Sequence, residues 1–112
     1  MSIAWGGIAF DGPYSLENHP PFPGSAIYVI MFKPDPAWRP DVYQVLYFGE
    51  TGNIAERGFP WSHHAAPCWL QAAKSRSNVF VGFHFMPGST SHQRQQVERM
   101  LTQQYQPVCN LA

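Results

Sequence analysis

Tyr28 lies in the apolar run Ala26-Ile27-Tyr28-Val29-Ile30, Tyr47 lies in Val45-Leu46-Tyr47-Phe48-Gly49, and Arg57 follows ten residues after the second tyrosine. A phenol on each of two neighbouring strands, with a guanidinium close behind, could handle a phosphodiester. Arginine donates hydrogen bonds in the planar fork that suits phosphate, and phenols orient oxygens or pass protons. Glu98 is the one acid of the second half of the chain. A carboxylate among cations is either an ion-pair partner or a ligand for a hard divalent cation. His63 and His64, six and seven residues beyond Arg57, could relay a proton at neutral pH. Taken alone, each residue has a packing, salt-bridge or turn explanation. The ordered set is what points to chemistry.

Charge supports a polyanionic partner. Residues 1–56 carry two basic and six acidic side chains, a balance of minus four, and residues 57–112 carry five basic and one acidic, a balance of plus four. Five cations do not identify nucleic acid by composition, but they place attraction for phosphate in the same half as Arg57 and Glu98. Lys33, Lys74 and Arg76 are the further candidates for DNA contact, with Trp38 and Arg39 in the proline-rich segment 34–41. His63, His64, Cys68 and Cys109 could be imagined as a zinc set, but their spacing is poor for it.

A chain of 112 residues forms one domain with a real core. No apolar run reaches the ~20 residues of a membrane helix, and the N-terminus lacks a basic, then long apolar, leader. The expectation is a cytoplasmic protein with no membrane partner, and Cys68 and Cys109 are read as reduced thiols. Residues 1–25, rich in Pro, Gly and aromatics, are expected as an irregular arm packed on a domain spanning 26–112. Strands are predicted at about 26–33, 42–48 and 78–86. The first two pair as an antiparallel hairpin across a proline-rich loop, and the third is central and covered on both faces. A short helix should begin near Ile54, another should follow Pro67, and a third should run from about Thr90 to Tyr105 with Glu98 at the edge of its apolar stripe. Pro107 ends it, and Asn110 falls in the tail.

Those motifs, taken in order, resemble the GIY-YIG nuclease domain over about residues 25–110. Ala26-Ile27-Tyr28 is similar to its first motif and Tyr47-Phe48-Gly49 to its second. Thr51, Asn53, Ile54 and Arg57 match the pattern that follows, Glu98 falls where a third helix supplies the metal ligand, and Pro107 with Asn110 resembles the closing residues. The resemblance implies an α/β (α+β) fold, a small central three-stranded antiparallel sheet flanked by helices in the order ββααβα. It also implies hydrolysis of a DNA phosphodiester with one divalent cation, usually magnesium, held by Glu98.

By that resemblance Tyr28 is the expected general base, Tyr47 and Arg57 orient the phosphate, and Asn110 supports the site. The rival of the same fold is a catalytically silent nucleic-acid-binding module. With no second DNA-binding module, specificity would come from DNA structure, a homodimer or a larger assembly. All of this requires both phenols, Arg57 and Glu98 to line one solvent-open hollow.

Overall fold

The computed structural model describes residues 1–18, 24–53, 61 and 63–110. The expected helix start at Ile54, and Arg57 with it, lie outside the described residues. Five strands form one antiparallel sheet: β1 Ser2–Trp5, β2 Ile8–Ser15, β3 Ala26–Phe32, β4 Gln44–Thr51 and β5 Val79–Phe85, in the spatial order β1-β2-β5-β3-β4. Among the described residues two helices, α1 Ala66–Ala73 and α2 Ser91–Tyr105, complete the α+β fold.

The three-stranded sheet expected from the sequence is therefore a five-stranded one. The N-terminal arm is not irregular: Gly6 and Gly7 make the turn of a β1–β2 hairpin, and β2 adds to β5 from Asp11 to Ser15. Prolines and glycines signalled a breaker there, but an outer hairpin tolerates them where a central strand would not. The register of β2 shifts between Asp11 and Tyr14, around Pro13, whose missing N–H is lost from the ladder at that irregularity. The β3–β4 hairpin, the proline-rich loop and the central position of β5 match the sequence expectation.

Alternation sorts the strands into two cores. Tyr28, Ile30, Leu46, Val79, Val81 and Phe83 pack under α1, around the fully buried Trp69. Ile27, Val29, Met31, Val45 and Phe48 pack with Phe10 under α2, through Leu101. α1 starts with Pro67 in its first turn, where the lost N–H has no helical partner to miss. α2 starts with a capping box, Thr90 accepting from the Gln93 N–H while Gln93 accepts from the Thr90 N–H.

Cys68 in α1 and Cys109 in the 3-10 turn Val108–Asn110 form a disulfide, with Cα atoms 5.7 Å apart. This corrects the reading of two reduced thiols. Cysteines 41 positions apart give no sequence sign of pairing, and only the fold brings α1 and the C-terminal turn onto the same core. Among the described residues, no helix is long and apolar enough to cross a membrane.

Candidate functional site

Regular pairing sets the two phenols on one face, since Tyr28 pairs with Gly49 and Ile30 with Tyr47, and a bulge follows directly beyond Tyr47. Ile30 pairs with Tyr47 and Met31 with Val45, so Leu46 is an extra residue in β4, and Leu46 and Tyr47 both lean toward the α1 side. Tyr28, whose backbone pairs with Gly49, lies on that side as well. Its ring crosses directly over Gly49, and any Cβ there would coincide with the ring. The glycine of the Tyr47-Phe48-Gly49 motif is thus required sterically. It lets the first tyrosine reach across the edge strand toward the second, with ring centroids 6.1 Å apart.

His63 completes the group. Its Nδ1 accepts the Ala65 backbone N–H at 3.0 Å, and its Nε2 lies 2.9 Å from the Tyr28 hydroxyl. The Ala65 bond assigns the neutral imidazole proton to Nε2, so His63 donates to Tyr28. Burial, and then the neighbouring His64, hold the His63 pKa below its ordinary value, which keeps the ring neutral. His64 stacks on His63 with centroids 4.4 Å apart and is itself exposed. Tyr28 is also hydrogen-bonded to Tyr47, an interaction that raises the pKa of Tyr28 and lowers that of Tyr47. The donor order is Ala65 N–H to His63, His63 to Tyr28, and Tyr28 to Tyr47.

Tyr28 is only 6% exposed, so the expected hollow, open to both phenols, is open at Tyr47 and closed at Tyr28. Burial pushes the Tyr28 pKa far up, and the charges near it at Tyr47, Glu98 and Glu50 push the same way. The Tyr47 pKa is also raised, by burial first and by Glu98 second, against the lowering by Tyr28. Neither phenol is ionised at neutral pH.

Glu98 approaches from α2. Its helix packs on the face opposite the phenols, and its charge still raises the pKa of both. Glu98 shares a cleft of about 440 Å³ with Glu50, Gln95, Arg99 and Thr102. Burial and then the Glu50 charge raise its pKa, and Arg99 offsets part of this. Glu50 is itself held by the buried Arg94, whose Nε donates at 2.8 Å while its Nη1 donates to the Ser89 carbonyl and hydroxyl oxygens. Among the described residues, no three His, Cys, Asp or Glu side chains converge as a metal cage. Magnesium needs none: it takes one or two carboxylates, retains water and uses substrate phosphate. Two carboxylates with neutral oxygens from Gln95 and Thr102 fit such an ion.

Asn110 grips the strand between the phenols from behind. Its Oδ1 accepts the Phe48 N–H at 2.8 Å and its Nδ2 donates to the Phe48 carbonyl at 2.9 Å, which covers the outer edge of β4 where no further strand pairs. Its place is support rather than phosphate contact. Of the DNA-contact candidates, Lys33 turns away: its ammonium stands 5.4 Å from the Tyr43 ring centroid and 5.0 Å from that of Phe80, both on the α2-side core. Trp38 is 86% exposed in the loop with Arg39 beside it. Lys74 and Arg76 are exposed at the end of α1, and Arg76 lies over Trp61.

Sequence reasoning missed the Glu50–Arg94 pair, although strand alternation from Tyr47 places Glu50 on the face opposite the phenols, toward the helix that carries Arg94. No family model, curated protein or solved structure matches this chain.

Proposed function

We propose that the chain is a metal-dependent DNA endonuclease of the GIY-YIG type, with Tyr47 as the phenol that meets the substrate. The observation that carries the reading is the contact of Tyr28, Tyr47 and His63, from three separate segments, with the Glu98 carboxylate near enough for its charge to raise the pKa of both phenols. Glu98, with Glu50 beside it, would hold magnesium, which supplies charge neutralisation at the scissile phosphate. Arg57, by its resemblance to the family arginine, donates to non-bridging oxygens.

Hydrolysis requires the attacking water to lose a proton, the P–O bond to the leaving oxygen to break, and that oxygen to regain a proton. Tyr47 suits a shuttle: its oxygen accepts the water proton as its own proton passes to the phosphate side. No free phenolate is then needed, which matters because a phenol of ordinary pKa ~10 is only about 0.1% ionised at neutral pH. Tyr28 and His63 hold that oxygen in place through their donor chain. This replaces the base role that resemblance assigns to Tyr28, since the Tyr28 hydroxyl is enclosed. With the proton returned on the phosphate side the shuttle needs no further relay, and His64 remains stacked on His63.

Burial of Tyr28 also favours the second reading, a silent module that binds nucleic acid through the same edge. A cytoplasmic location belongs to the proposal, with the Cys68–Cys109 bridge then facing that compartment's reducing pool. Incubation with supercoiled plasmid, with and without magnesium, separates the readings. Magnesium-dependent nicking should fall about 100-fold or more in Glu98→Ala and Tyr47→Phe. Retained DNA binding without nicking would establish the silent module, and equal nicking by all three proteins would refute the assigned site.

A further inference from the structure

The end of α1 carries a feature the proposed chemistry does not use. Lys74 closes the helix in the left-handed conformation at φ 69°, its N–H bonding the Leu70 carbonyl, and the chain turns at once into the 3-10 turn Arg76–Asn78. Ser75 caps that turn by accepting the Ser77 N–H, and Asn78 donates to the Lys33 carbonyl, so the turn is fixed to the sheet. From this rigid base the exposed Arg76 side chain lies over the Trp61 ring, its guanidinium carbon 4.8 Å from the centroid. Trp61 in turn packs on the core that includes Tyr28 and Trp69, and it precedes His63 by two residues. An arginine backed by an indole loses little further freedom when a second flat group meets its outer face.

We infer that the Trp61-backed Arg76 guanidinium is a stacking platform for an unpaired nucleobase beside the phenol site, which directs the protein to single-stranded or branched DNA rather than intact duplex. A base inside a duplex already has both faces covered, so such a platform gains nothing from it, whereas every unstacked base offers a π-face. Lys74, exposed at the helix end that leads into the Arg76 turn, supplies a donor for a flanking phosphate without sequence readout. The inference rests on the nuclease reading for its biological use, but the binding it describes needs no cleavage.

The test is fluorescence anisotropy in EDTA with two probes, a labelled oligothymidylate and a blunt hairpin duplex of equal phosphate number. Wild-type protein should prefer the oligothymidylate. Arg76→Lys keeps the charge and removes the plane; it should weaken oligothymidylate binding roughly 5–10-fold and leave duplex binding within about twofold. Trp61→Phe, which preserves an apolar backing, should weaken it less than Trp61→Ala. Equal losses on both probes, or none, would make Arg76 a point charge on phosphates and overturn the platform. A larger selective loss in Trp38→Ala would also overturn it, by moving the contact to the hairpin loop. A protein that never nicks plasmid yet shows the selective Arg76→Lys loss would sink the nuclease reading and keep this one.

Discussion

Among the carboxylates, Glu98 is held against its own charge. Its pKa is raised from 4.5 by burial and by Glu50, so between 4.5 and the higher folded value the folded chain binds more protons than the unfolded chain. Stability therefore falls as pH rises through that window and stays reduced above it. His63 has the opposite sign: lowered from 6.5, it contributes stability that is lost as pH falls through the range beneath that value. Glu98→Gln isolates the first effect. In metal-free buffer at neutral pH the variant should melt about 1–2 °C above wild type, a small gain because Glu98 is only half-buried, and the difference should vanish in acid below the carboxylate range. Added magnesium should raise the melting temperature of wild type and leave the variant unmoved. A variant that melts lower without metal would show that Glu98 serves the fold as the partner of Arg99, and the cation role would fall with it.

At the level of elements, α2 carries the acid and ends under strain. Gln106 closes it at φ 46°, a left-handed position that favours glycine, with its N–H bonded to the Thr102 carbonyl. Gln106→Gly should stabilise the protein by about 0.5–1 kcal/mol in urea denaturation, and an unchanged midpoint would mean that the side chain compensates for the backbone. The same helix shows what the sequence makes legible. Val97, Met100, Leu101 and Tyr105 repeat at helical spacing and Thr90 with Gln93 marks the start, so α2 could be read closely. β3, β4 and β5 were equally plain from their β-branched and aromatic runs. The β1–β2 hairpin was not, because Gly12-Pro13 interrupts an otherwise strand-like pattern and only pairing with β5 overrides that local signal. The bulge at Leu46 was invisible for a related reason: alternation assumes an unbroken ladder, and one extra residue reverses the face of all that precedes it. For the proposed site, motif order pointed to Tyr28, Tyr47 and Glu98. Which phenol meets solvent depends on Gly49 admitting a ring and on His63 covering a hydroxyl, both contacts between segments distant in the chain.

For the molecule as a whole, one covalent link joins the two ends of the site's support. The Cys68–Cys109 bridge closes a loop of 41 positions, and Cys109 precedes the asparagine that holds Phe48 between the phenols. Constraint of the unfolded chain by a loop of that length contributes about 2–4 kcal/mol. A substantial share of a small domain's total stability thus depends on whether the sulfurs are joined. Full reduction, or Cys68→Ser with Cys109→Ser, should lower the urea midpoint accordingly. It should also raise amide exchange at Phe48 more than at Val29, because Phe48 depends on a tail that only its own packing then retains, whereas Val29 lies between two strands. Uniform loss of protection across β3 and β4 would instead mean that the bridge stabilises the sheet without any special hold on the phenol edge. If Phe48 is selectively loosened, plasmid nicking measured below the new midpoint should fall with it, since Tyr47 is the next residue along the freed edge strand.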